Sequence, residues 1–187
     1  MTTGAVIAII IGVLIVVLVG GYVAWDMSRR RRLQQRFGPE YDRAVKTAGG
    51  RREAEAELSA RERRFEKLDI RDLSPEETTR YSGEWTAIQE RFVDAPEQAV
   101  AEADRLVTQV MADRGYPTDS GHRQRIADLS VGHAKTLGDY RAAHEISERS
   151  AKGEASTEDL RQAMIHYREL FADLLGTGST GRHAPPR

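Results

Sequence analysis

Four histidines fall between residues 118 and 175: His122, His133, His144 and His166. Histidine changes charge near neutral pH and is the commonest metal ligand, so their spacing is the first thing to test for chemistry. His133 and His144 are eleven residues apart, three helical turns, so one helix carrying both would show them on one face. A carboxylate-bridged di-metal bundle needs Glu-x-x-His pairs. The residues three before these histidines are Asp119, Ser130, Arg141 and Ala163, and none is glutamate. His144-Glu145-Ile146-Ser147-Glu148 opens like the zinc-protease helix H-E-x-x-H but ends on glutamate. Histidines of the core or of an interface are the expected reading, with no metal ligand and no cofactor.

Other chemistries lack their residues. There is no cysteine, hence no thiolate nucleophile, disulfide or thiolate metal site. No G-x-S-x-G elbow and no phosphate-binding loop occurs. Gly176-Thr177-Gly178-Ser179-Thr180-Gly181 matches G-x-G-x-x-G. That fingerprint binds a dinucleotide only between a strand and a helix, whereas here it precedes a proline-rich tail and reads as a linker. No catalytic residue is expected. A catalytic or metal-binding bundle built from an unrecognised constellation stays as an alternative.

The positioning elements begin with an anchor. Residues 5–25 read AVIAIIIGVLIVVLVGGYVAW, twenty-one residues with no charge, amide or proline. At ~1.5 Å per residue they span about 31 Å, the thickness of bilayer hydrocarbon. Thirteen are Val, Ile or Leu, each favouring insertion by roughly 0.3–0.6 kcal/mol near the centre. A transmembrane helix is expected. Arg29, Arg30, Arg31 and Arg32 follow it and Met1–Gly4 carries no charged side chain, so the positive-inside rule predicts an external N-terminus and a cytoplasmic remainder. Tyr22 and Trp25 suit the inner headgroup level. The rival is a cleaved signal sequence and a secreted product, disfavoured by the missing basic n-region and by the length of the run. Gly4, Ala8, Gly12 and Gly20 form a small-residue stripe through which two copies of the helix could pack as a homodimer.

Charge is shared unevenly. Residues 26–52 hold nine basic and three acidic side chains, a net of +6, and residues 53–187 hold nineteen and twenty-six, a net of −7. Anionic headgroups attract the basic part and repel the acidic one. An acidic domain without base-stacking aromatics excludes nucleic acid as a partner. Asparagine is absent and arginine outnumbers lysine twenty-four to four, a codon signature that also removes any N-glycosylation site.

Residues 26–68 are expected as a basic juxtamembrane segment and helical stalk. Phe37-Gly38-Pro39 breaks the first helix, Pro39 starts the next, and Ala48-Gly49-Gly50 is a hinge. The charged stretch 51–68, with Ala54, Leu58, Phe65 and Leu68 as its apolar members, is either a solvated stalk or a lightly docked helix.

Residues 69–175 are expected as an antiparallel helical bundle. Ser74-Pro75-Glu76-Glu77 and Ser156-Thr157-Glu158-Asp159 are capping boxes, and Pro96 opens another helix. Tyr81, Trp85, Ile88 and Phe92 make one stripe, read as core, with a partner-docking surface as the rival. A helix over 96–114 carries Val100, Ala103, Leu106, Val107, Val110 and Met111. A short helix spans His122–Leu129, and a longer one runs from about His133 to Lys152 with Leu137, Tyr140 and His144 on one stripe. The last presents Leu160, Met164, Tyr167, Phe171 and Leu174. Gly115, Gly153 and Gly176 end their helices, and residues 176–187 are expected to be disordered. No stretch alternates with period two, so the fold class is all-α.

QRFGPEYDRAV after the anchor, LSPEE, Y-x-x-x-W, FVDAP, RGYP and TEDLRQAMIHYRELFADLL together resemble a widespread uncharacterised family of bacterial single-pass membrane proteins, many from high-GC Gram-positive lineages. The resemblance covers nearly the whole chain apart from the tail. It implies an anchor with a helical domain and no assigned activity, so it assigns no site residue. The expected function is a membrane-anchored cytoplasmic interaction or scaffold protein with an unidentified protein partner. A secreted or externally displayed helical domain is the alternative.

Overall fold

The structure, a computed structural model, describes residues 3–119 and 121–177, with side chains from Ile11 onward. Eight helices and no strand occur among the described residues. The chain divides into two compact units, Met1–Ser59 and Ala60–Arg187.

In the first unit, α1 (Thr3–Phe37) contains the whole apolar run. It is long and apolar enough to cross a membrane. From Ile11 to Met27 its side chains are exposed, as a helix that is apolar all round must be when no protein covers it. Gly38, at φ 49°, turns the chain and Pro39 opens α2 (Pro39–Thr47). After the bend at residues 48–50, α3 (Arg51–Phe65) starts in this unit. It is docked rather than solvated: Ala54 and Leu58 are fully buried, as are Leu33, Phe37, Tyr41 and Ala44 in the preceding helices. Two hydrogen bonds fix its path. Arg29 Nη2 donates to Ser59 Oγ at 2.9 Å, and the Tyr41 hydroxyl donates to Glu55 Oε1 at 2.7 Å.

The second unit takes the last turn of α3 and five further helices: α4 (Pro75–Arg91), α5 (Pro96–Asp113), α6 (His122–Gly132), α7 (Leu137–Ala151) and α8 (Thr157–Leu174). Both capping boxes form. Ser74 Oγ accepts from the Glu77 amide while Glu77 accepts from the Ser74 amide, and Ser156 and Asp159 repeat the arrangement. A single core joins the helices. It holds Tyr81, Trp85 and Ile88 from α4, Val100 to Met111 from α5, Leu137 and Tyr140 from α7, and Leu160 to Leu174 from α8. Helices α4 and α5, and α7 and α8, are in contact through short connections, the mark of antiparallel neighbours. Phe65, Ile70 and Leu73 pack on the same core, so the chain enters the bundle before residue 69.

Three helices, α5, α7 and α8, close in one way. The amide three residues past the helix returns to a carbonyl five residues back: Tyr116 to Met111, Glu154 to Arg149 and Thr177 to Ala172. At Gly115 the demand is strictest. Its φ is 93°, and a Cβ there would lie 2.2 Å from the Asp69 carbonyl oxygen.

Of the expected helix boundaries, the start of α7 moves furthest. The long helix expected from His133 starts at Leu137, because residues 133–136 form a turn. His133, at φ −131°, leaves the helical region. Its Nδ1 lies 2.8 Å from Asp173 Oδ2, and Thr136 Oγ1 donates to the same oxygen at 2.8 Å. A tertiary carboxylate thus holds four residues whose local propensity favoured helix. Of the tail expected to be disordered, 176–187, residues 178–187 lie outside the described residues.

Candidate functional site

Each domain histidine is placed by a different element. His122 is the first residue of α6, His133 sits in the turn before α7, His144 is in the middle of α7 and His166 is on α8. His133 and His144 therefore do not share a face of one helix. Three of the four meet an aspartate far away in sequence: His133 with Asp173, His144 with Asp104 at 3.3 Å, and His166 with Asp139 at 2.8 Å. The fourth, His122, stacks on His144, with ring centroids 3.9 Å apart and planes at 14°.

Around that stack the polar groups of four helices converge. Asp104 Oδ1 on α5 accepts from the Tyr167 hydroxyl on α8 at 2.7 Å and faces His144 Nδ1. His144 Nε2 faces Glu148 Oε1 at 3.6 Å, so carboxylates address both ring nitrogens. The Tyr140 ring stands 5.6 Å from His122 and 5.8 Å from His144. Burial alone would raise the Asp104 carboxyl; hydrogen bonds from His144 and Tyr167 outweigh it and hold the group below its usual range. Burial, aided by the Asp104 charge, raises the Tyr167 phenol, and burial pushes Tyr140 up to about 12. Burial lowers the His122 imidazole, and His144 and Arg125 add to the effect. His122 Nδ1, Arg125 Nε and the Tyr140 hydroxyl are buried without a hydrogen-bond partner among the described residues.

A cleft of about 390 Å³ opens beside the cluster, lined by Asp104, Arg105, Thr108, Gln109, Thr118 and Arg125. No serine or threonine hydroxyl is hydrogen-bonded to a histidine nitrogen there, so a nucleophile–base pair is not assembled among the described residues. No group of three or more His, Asp or Glu side chains in metal-holding geometry occurs among them either. The cluster sets an ionised Asp104 against the Tyr167 hydroxyl and His144, with the His122 ring stacked on His144.

The other sequence features resolve separately. Tyr81, Trp85 and Ile88 are buried, with Trp85 stacked on Phe171 at 4.9 Å, and Phe92 packs against the same core. Val93 is the one large apolar side chain that the second unit exposes among the described residues. Gly176 closes α8 with φ 71°, and Gly178 and Gly181 lie outside the described residues. At the end of the apolar run the Arg29 guanidinium lies 5.7 Å from the Trp25 ring, and Tyr22 pairs with Trp25 at 6.3 Å.

Sequence spacing could not supply Asp104, Asp139 or Asp173, because their histidine partners sit on other elements of the fold. Tyr140 and Tyr167 were readable as inward-facing, their polar ends were not. No family model, curated protein or solved structure matches this chain.

Proposed function

We propose that the chain is a single-pass membrane protein whose α1 spans the bilayer and holds a helical interaction domain at the cytoplasmic face. The observation that carries this reading is α1 itself: an uncovered apolar helix followed at once by Arg29, Arg30, Arg31 and Arg32. A soluble fold has no use for an exposed helix apolar on every side. The arginine run supplies the positive-inside signal and a match to anionic headgroups. The Arg29–Trp25 contact supports an interfacial position for both residues, and the resemblance to bacterial single-pass proteins agrees with the layout.

The anchor's contribution is confinement. Tethering raises the effective concentration of the domain for other membrane-associated proteins without any new contact. The bundle buries its aromatic stripe and exposes little apolar surface, which favours a partner recognised through charge.

The test is a topology assay with a reporter, active on one membrane face only, fused after Leu175. Activity on the cytoplasmic side from an intact, membrane-retained chain supports the proposal. Activity outside reverses the orientation, and cleavage after the apolar run refutes the anchor and leaves the secreted alternative.

A further inference from the structure

The His122–His144 stack ties the first residue of α6 to the middle of α7. The titratable and charged groups facing His122 among the described residues come from three helices. From α5 comes Asp104, already engaged with His144 and Tyr167; from α6, Arg125; from α7, Tyr140, His144 and Glu148. Tyr167 of α8 acts only through Asp104. The two carboxylates thus address His144 at its two nitrogens and leave His122 without a hydrogen-bonded acceptor at Nδ1.

Three features make a cation at His122 costly. A protonated ring carries N–H at both nitrogens, and the Nδ1–H would be buried with nothing to accept it. The ring stacks face to face on a second imidazole, with the Arg125 guanidinium adding positive charge nearby. Its position at the start of a helix puts it at the positive end of the backbone dipole. The neutral ring still buries an unpartnered Nδ1 but carries no charge toward Arg125 or the helix dipole.

We propose that α6 is an acid-released element: uptake of a proton by His122 breaks the stack on His144 and frees the first turn of α6 from α7. The release is one-sided, because Asp104 and Glu148 keep their hold on His144 while His122 departs. Burial lowers the folded His122 pKa, so the open form takes up protons first, starting near the free-histidine value of about 6.5. The closed form is therefore complete above that pH and is lost as pH falls toward the folded value. The device lies within the second unit and operates whichever face of a membrane that unit occupies.

The experiment is amide hydrogen exchange on the full chain in lipid nanodiscs, across about pH 7.5 to 5, each amide normalised to its intrinsic rate. Amides of α6 lose protection by up to about tenfold per pH unit below about 6.5, while those of α8 hold. His122→Phe keeps a flat ring that takes no proton, and its α6 protection stays level across the range. Constant protection in the native chain overturns the proposal, as does the same acid loss persisting in His122→Phe. If that variant loses protection in every helix, the decision passes to an NMR titration of His122 in the native chain. A midpoint below the free-histidine value supports the device, and one at or above it refutes it.

Discussion

Replacing Trp85 with alanine separates the two readings of the aromatic stripe. Trp85 is 6% exposed and stacks on Phe171 with planes at 20°. A buried tryptophan removes roughly 150–250 Å² from water, worth about 4–6 kcal/mol at ~25 cal/mol per Å². Alanine keeps a small part of that area, and relaxation of α4 toward α8 recovers some of the void. The stack adds about 0.5–1.5 kcal/mol that alanine cannot replace. The expected loss is ~3–5 kcal/mol, a large part of the stability of a domain this size. Urea unfolding of the full chain in detergent, followed by far-UV circular dichroism, reads it as a fall in midpoint at unchanged slope. Trp85→Phe, which keeps a ring against Phe171, loses less. A Trp85→Ala protein within ~0.5 kcal/mol of the native chain, the range of ordinary surface substitutions, would refute the packing argument and restore the docking one.

Two further outcomes follow from the helix ends. Gly115→Ala and Gly153→Ala both force a side chain into left-handed backbone, a cost of ~1–2 kcal/mol. Only Gly115 also meets a backbone carbonyl, at 2.2 Å, so it must be clearly the worse in the same urea titration; equal losses would show that the Asp69 contact is dispensable. Glu77, held by Arg71 and the Ser74 amide, and Asp159, held by the Ser156 amide and hydroxyl and by Arg149, both have pKa values lowered to about 2. Depressed carboxylate pKa values give stability that is present above the unfolded values of about 4 and lost as pH falls toward 2. The urea midpoint should therefore drop across that window, with a smaller drop in Glu77→Gln; an identical drop would exclude the Ser74–Glu77 box as a source.

What the sequence made legible was local. Ser74 and Ser156 announce their helices because an N-cap and its partner lie three residues apart, and Gly115 announces an end because only glycine takes its backbone angle freely. The Tyr81–Trp85–Ile88 stripe was readable because helical periodicity is also local. The histidine cluster was not. His144 meets Asp104 and His133 meets Asp173 across forty residues of chain, and only the packing of α5 and α8 on α7 determines those pairs. The same distance explains the misplaced start of α7: Asp173 gives His133 and Thr136 a better set of hydrogen bonds than another helical turn would. For α3, composition left solvated and docked forms open, and Arg29 and Tyr41, on other helices, decided it.

The sparsely greasy exterior of the second unit, where Val93 is the one large apolar side chain exposed among the described residues, has a consequence for crowding. Copies held in one plane collide far more often than copies in solution, and any sticky patch would turn those encounters into clusters. The stretch from Glu53 onward carries a net charge of −7, and like charges repel within a Debye length of about 8 Å at physiological salt. If α1 spans a bilayer as proposed, neighbouring domains would slide past one another and remain individually available, and any lasting pairing of the chain would fall to that helix.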